Sequence, residues 1–401
     1  MSHALRKWLV MNLMSYTIFV YVGIFVNLFI WEKNRLISEV AWYNLLVYFS
    51  WSFAFAAAAY LLTKSTVRLL LGISAFSGGS AFLLLSFVEL DNRMLWIAMI
   101  GVAVGVMYGF FSAAQNLSVS MSGTSAELGR YFSAAASIQQ AVTLAVPLLS
   151  AAIIIYFGYS GTFALMLVFL VVMLAFSFAM PGKSMRSGTG PSTARWLWQE
   201  LLRKPGLRWF SASNLAAGVF LQFQQLFLLL FTFSVTENKL WIAALNGLYT
   251  LATLGGLFVY RKFSLKDSTF LTMGCLLIAS GFLIVLVPAK PVLIVSNLLT
   301  AVGMFCFGAA WNTLQFKWIK PYPEAGQAKL LVWRETLICV TRIGTLLLVM
   351  SVDNFRSPLF VALIGVSVLC LLAVPYFEYR AKKTLEPDAP KVGIPPGLEP
   401  E

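Results

Sequence analysis

Leu330–Ser351 reads LLVWRETLICVTRIGTLLLVMS. As an α-helix it would be about 33 Å long, enough for the roughly 30 Å hydrocarbon core of a bilayer. It also carries Arg334, Glu335 and Arg342. A guanidinium stays charged at any accessible pH, and placing one at bilayer depth costs at least ~2.5–3.5 kcal/mol on insertion scales. If the segment spans, Arg342 must face protein, water or an anion rather than lipid. Whether it spans decides the architecture, because it sets the number of crossings at eleven or twelve.

The rest of the chain favours twelve. Of 401 residues, 59% are hydrophobic and 11% charged, where soluble domains carry about 25% charged residues. Charges cluster, and between the clusters lie apolar runs of about 20 residues, each long enough to cross as a helix. In order they are Leu9–Trp31, Val40–Leu62, Arg68–Val88, Met94–Gln115, Tyr131–Tyr156 and Gly161–Met180. After a polar break come Trp209–Phe231, Leu240–Tyr260, Thr269–Val287, Val292–Leu314, Leu330–Ser351 and Pro358–Tyr376. The fold class is all-α integral membrane.

Loops rich in Lys and Arg stay cytoplasmic. With both termini inside, 21 of the 29 Lys and Arg residues fall on the inner side and 6 on the outer, the other two being Arg334 and Arg342. That bias places the chain in a cell (inner) membrane with cytoplasmic N- and C-termini. It also accounts for the net charge of +13 without nucleic acid, since anionic inner-leaflet lipid attracts such loops. Arg6 and Lys7 before the first run resemble a signal peptide, but the run is too long and lacks a small-residue cleavage site, so it reads as an uncleaved span. Cys275, Cys306, Cys339 and Cys370 fall one to a span and form no metal or disulfide pattern.

The polar stretch at 181–207 divides the spans six and six. It opens Gly- and Ser-rich, then places Trp196, Trp198, Leu201 and Leu202 among Arg195, Arg203 and Lys204, as a surface-lying amphipathic helix would. The implied units are residues 1–180, a cytoplasmic linker 181–207, residues 208–378, and a disordered tail 379–401. The halves echo each other about 200 residues apart. Ser80-Ala81-Phe82-Leu83 aligns with Ser280-Gly281-Phe282-Leu283, Tyr60 with Tyr260, and Ala103-Val104-Gly105 with Ala301-Val302-Gly303. Six spans per half make the repeats parallel, related by an axis along the membrane normal, as in transporters whose halves rock around a central site.

With these features the chain resembles the major facilitator superfamily over all twelve spans, the basic middle loop and both termini. The family's loop signature between spans two and three is reduced to Leu62-Thr63-Lys64-Ser65-Thr66-Val67-Arg68, which keeps the charge without the acid. Its repeat copy, Gly256-Leu257-Phe258-Val259-Tyr260-Arg261-Lys262, has Tyr where Asp is expected. Of the antiporter signature in span five only Pro147 remains. The likeness extends to bacterial members with Arg-Glu then Gly-Arg in span eleven, where this chain has Arg334-Glu335 and Thr341-Arg342.

By that resemblance, spans one, two, four, five, seven, eight, ten and eleven line a central cavity. Counting along them puts Gln139 and Gln140 near the middle of span five, Gln222, Gln224 and Gln225 near the middle of span seven, and Arg342 at the same level in span eleven. Amides supply donors and acceptors, and a guanidinium grips carboxylate or phosphate. The expected substrate-binding set is therefore Arg342, Gln139, Gln140, Gln222 and Gln225, the alternative being that Arg342 pairs with Glu335 or with backbone carbonyls. Glu335 and Arg342, two turns apart, share a face but lie roughly 10 Å apart along the axis. Arg130 and Arg334 occupy corresponding inner positions, as do Asn116 and Asn312 near the inner ends of spans four and ten. With Glu335 these form the expected coupling or gating set, against a packing or interfacial role. Asn27 and Asn44 fall at outer span ends. Besides Glu335, no acid is expected well inside a span, so proton coupling would rest on that residue. Gly101, Gly105 and Gly109 recur every fourth residue in span four and would let another helix approach closely.

The sequence has no metal-ligand spacing, Gly-rich phosphate loop or Asp/His-rich loop, so neither an enzyme nor a cofactor is expected. The expected function is secondary active transport of a small organic solute by alternating access, as an exporter or exchanger acting as a monomer. The alternative is a lipid-handling or scaffold protein, a scramblase for example, on a transporter fold.

Overall fold

The computed structural model describes residues 3–87, 90–120, 125–180, 182, 203–263, 267–287, 289–319, 322, 324–352 and 354–385. Among them the chain is helical, with no strand. Helix α1 begins as His3–Tyr21, passes through a π-helical turn, Val22–Val26, and ends as Asn27–Asn34. Next come α2 (Ile37–Leu62), α3 (Val67–Phe87) and α4 (Arg93–Ser120). The continuous stretch Ser125–Ser177 contains one non-helical residue, Gly158, with φ 68° and ψ −176°. It turns there, giving α5 (125–157) and α6 (159–177).

Bonds along that stretch trace a hairpin. Tyr131 meets Asn12 at one end of α1, Tyr159 meets Glu32 at the other, and Ala179 lies back beside Lys7. The second half follows as α7 (Pro205–Val235), α8 (Lys239–Phe263), α9 (Asp267–Ile284), α10 (Lys290–Ile319), α11 (Glu324–Val349) and α12 (Pro358–Leu385). Eleven continuous helices, one folded back, thus make twelve legs among the described residues.

Nine of the described helices are long and apolar enough to cross a membrane. The hairpin of α5 and α6 counts once in that number, while α8 and the charged α11 fall outside it. The linker residues with the expected amphipathic helix, 195–202, lie outside the described residues. Helix α12 continues to Leu385, past the expected end at Tyr376, so 379–385 are helix rather than tail.

The repeat is visible in bonding. Gln115 on α4 donates to Asn12 on α1 at 2.8 Å. In the second half Asn214 on α7 donates to Gln315 on α10 at 3.1 Å. At this offset Gly303 answers to Ala103, and both face the third helix of their half: Ser77 Oγ donates to the Ala103 carbonyl, and Gly303 abuts Ile278. The Gly105–Gly303 match read from sequence is two residues off and pairs opposite faces of the helix. Gly101, Gly105 and Gly109 do admit a close neighbour, and it is α2: a Cβ at Gly109 would lie 2.7 Å from the Trp51 carbonyl oxygen, and one at Gly105 would strike Ser50 and Val47. Close approach of this kind drives helix association in lipid, where apolar surface gains little by leaving the tails.

Candidate functional site

Helices α1 and α7 finish side by side, with the rings of Trp31 and Phe233 6.4 Å apart. They therefore begin at one common end, where Thr384 of α12 also lies against Gly206. At the opposite end the halves are tied by charge. Arg35 pairs with Glu237 at 2.9 Å and Lys239 with Glu32 at 3.5 Å. Tyr159 donates to Glu32 at 2.9 Å, and Lys239 lies 4.7 Å from the centre of its ring. Glu39 and Arg93 form a third pair there at 2.8 Å, wholly inside the first half.

Below this clamp, near the middle of the helices, Arg342 of α11 reaches across to the first half. Its guanidinium carbon stands 4.5 Å from the centre of the Tyr48 ring on α2. Its Nη1 donates to Gln225 Oε1 on α7 at 3.3 Å, and the Tyr48 hydroxyl donates to the same oxygen at 2.6 Å. Arg342 pairs with neither Glu335 nor any other carboxylate among the described residues, so its charge is balanced only by the ring and an amide.

From that level toward the terminus-bearing end runs a cavity of about 290 Å³. Tyr48 and Trp51 of α2 form one wall; Leu221 of α7, Met304, Phe307, Gly308, Trp311 and Asn312 of α10, and Arg334, Glu335, Ile338, Cys339 and Arg342 of α11 form the rest. Arg334 is 8% exposed, so it is a buried wall residue and not an interfacial anchor. It donates to Asn312 Oδ1 at 2.8 Å, pairs with Glu335 at 3.5 Å, and lies 4.9 Å from the centre of the Trp311 ring. Two guanidiniums and one carboxylate leave the lining net positive.

Buried polar atoms in proteins are almost always partnered. Three cavity-lining side chains depart from that rule, at Trp51 Nε1, Arg334 Nε and Arg342 Nε. All three are donors closed to solvent in this state, and an acceptor-rich ligand would reach them only as the walls shift.

Of the residues expected to bind substrate, Arg342 lines this cavity and Gln225 is bonded to it. Gln222 is buried a turn away, with both its amide atoms unpartnered. Gln139, exposed, and Gln140, half-buried, sit on α5 and are not in the lining. In the expected gating set, Arg334, Glu335 and Asn312 come together, while Asn116 is half-buried on α4, apart from them. The Arg130 side chain lies outside the described residues. Asn27 and Asn44 bond each other at 2.8 Å, and Asn27 also donates to the Gly23 carbonyl in the π-helical turn. That links α1 to α2 within one half.

Sequence reasoning missed Tyr48, Trp51 and Trp311, whose aromatic types fit packing equally well. It also missed Glu378. That acid is buried, 5% exposed, in the last third of α12 and beyond the expected end of the span at Tyr376.

The helical fold recurs in solved structures. A POT family transporter in complex with a thioalcohol-conjugated peptide matches with a TM-score of 0.72 and 11% identity, over 94% of this chain and 96% of that one. A structure from work on proton-dependent oligopeptide transporters matches at 0.70 and 11%, covering 96% and 100%. The chain has the major facilitator fold. A mutant of the nucleoside transporter NupG matches likewise, at 0.68 and 10% over 94% and 100%. No protein-family model and no curated protein matches the sequence.

Proposed function

We propose that this chain is a secondary transporter that carries a small organic anion by alternating access, with Arg342 as the residue that grips the anionic group. The observation that carries the reading is the trio of unpartnered donors on one cavity wall set, Trp51, Arg334 and Arg342, in a cavity lined by both halves. A carboxylate or phosphate supplies several acceptor sites and complements a net positive lining. Neighbouring Trp51, Phe307 and Trp311 suit an apolar or aromatic body on the same molecule. With both termini cytoplasmic, the clamped end is the outer one and this state offers its cavity to the cytoplasm. Gln222 is a second-tier ligand that turns into the cavity as the halves rock. The protein acts as a monomer in a cell membrane.

The test is a ligand screen by thermal shift on purified protein, wild type beside Arg342→Gln. A ligand that binds only the folded carrier stabilises it by about 2.7 kcal/mol at a hundred times Kd. Organic anions are expected to raise the melting temperature of wild type and not of the variant. Equal stabilisation of both would remove Arg342 from the site. No response to any anion, with neutral solutes active instead, would overturn the substrate class.

A further inference from the structure

Glu378 has no place in the site just described, yet among the described residues it is one of the two buried acids, with Glu39. Its Oε1 accepts from Ser213 Oγ of α7 at 2.6 Å and from Gln315 Nε2 of α10 at 2.7 Å. Trp311 Nε1 donates to Ser213 Oγ at 3.2 Å and so extends the network. Trp311 is also a wall of the cavity and the ring beneath Arg334. Glu378 therefore lies one side chain behind the cavity surface.

The charged surroundings are few. From α11, Arg334 stands 4.9 Å from the centre of the Trp311 ring, outside ion-pairing distance of Glu378. From α7 and α10 its hydrogen-bond partners among the described residues are Ser213, Gln315 and Trp311. Helix α9, also packed on α12, has its one acid, Asp267, paired with Lys317 at 2.7 Å. On α12 itself Arg380 turns aside onto the rings of Trp209 and Tyr376.

We propose that Glu378 is a proton-binding site linked to the cavity through Arg334. The proton adds to the carboxylate, whose Oε1 accepts from Ser213 and Gln315. Arg334 is shared: it pairs with Glu335 at the cavity and lies over Trp311, whose indole joins the Glu378 network through Ser213. An anion bound in the cavity would take up more of the Arg334 charge, so Glu378 would bind its proton more tightly. By thermodynamic reciprocity, protonation of Glu378 would tighten the anion. One anion and one proton together leave the net charge of the region unchanged, so the pair could move as an electroneutral unit. This use in coupling rests on the transport reading above; the proton site itself does not.

The site can be tested without any substrate. Infrared difference spectra of the full-length protein in lipid vesicles, recorded as pH is stepped, report the C=O stretch of a protonated buried carboxyl. Wild type is expected to show such a band and Glu378→Gln to lack it, Gln being near in shape and still able to accept from Ser213. Arg334→Gln should move the band's midpoint up by about 1–3 pH units, since a nearby cation favours the ionised form. Should that variant fail to fold, Glu335→Gln is the second arm and should move the midpoint down, by freeing Arg334 toward Glu378. A band that survives in Glu378→Gln, or a midpoint unmoved by the Arg334 and Glu335 variants, would overturn the proposal. A failed ligand screen beside a normal titration would instead count against the transport reading alone.

Discussion

At the scale of single residues, Tyr48 does two separable jobs. Its ring faces the Arg342 guanidinium at 4.5 Å and its hydroxyl donates to Gln225 at 2.6 Å. Tyr48→Phe keeps the first contact and should cost about 0.5–1.5 kcal/mol, the net worth of one hydrogen bond. Tyr48→Leu removes both, adding roughly 0.5–2 kcal/mol for a cation–π contact out of water. Melting of the purified variants in detergent would show the order wild type, Phe, Leu; a Phe variant as unstable as Leu would mean the ring contact contributes nothing. The need for some such partner is legible in the sequence, because an arginine in an apolar helix must face something other than lipid. Its identity is not, since Tyr48 and Arg342 meet only through the packing of α2 on α11. The same limit explains the glutamines. Counting along a helix gives height in the membrane but not rotation about the axis, so Gln225 and Gln139 look equivalent, and only the first meets Arg342. Glu378 escapes a sequence reading because the apolar run ends at Tyr376, and an acid beside Arg380 and Lys382 reads as an interfacial residue.

At the scale of helices, glycine positions separate into those that bring elements together and those that do not. A Cβ at Gly109 would meet the Trp51 carbonyl oxygen at 2.7 Å and the Phe55 amide at 2.9 Å, both backbone atoms of α2. Gly109→Ala must push α2 and α4 apart and should destabilise by about 1–3 kcal/mol, the usual penalty of overpacking. At Gly79, in α3, a methyl group would find nothing within 4 Å. There Ala should be neutral or stabilising by about 0.5–1 kcal/mol, through its better helix propensity. Gly158 is different again: it has open space but a φ of 68°. Gly158→Ala should cost about 1–3 kcal/mol in backbone strain alone, loosening the hairpin of α5 and α6. Melting temperatures of the three variants would test the ordering, and a Gly158→Ala variant as stable as Gly79→Ala would remove the strain argument. The every-fourth-residue spacing in span four is by itself enough to announce a close contact. Which helix makes it cannot be read from the spacing, because that describes only one of the two surfaces.

At the scale of the whole molecule, the clamp across the end away from the termini has the strength of a latch rather than a weld. Arg35 and Glu237 are 62% and 74% exposed, and exposed pairs contribute only about 0.2–1 kcal/mol each. Lys239, Glu32 and Tyr159 form a tighter group, yet they too are joined through side chains at helix ends. A protein that alternates between two states needs an energy gap of a few kcal/mol at most, so that both are populated. By contrast the Glu39–Arg93 pair, with Glu39 buried, holds α2 to α4 within one half, where rigid-body movement requires no change. Gly308 lines the cavity and a side chain there would meet nothing within 4 Å, whereas Cys339 is buried. With the four native cysteines replaced by Ala, a membrane-impermeant maleimide should label a Gly308→Cys variant from the terminus-bearing side and hardly at all from the other. Replacing Glu32 and Arg35 together by Gln should raise labelling from the clamped side, because both inter-half ion pairs lose a member. Reversing the outer pair, with Arg35→Glu and Glu237→Arg combined, should bring labelling back toward the starting pattern, while either reversal alone should increase it. If labelling from the clamped side ignored all of these changes, the charges would be surface decoration, and the closure would have to come from the apolar contact of Trp31 with Phe233.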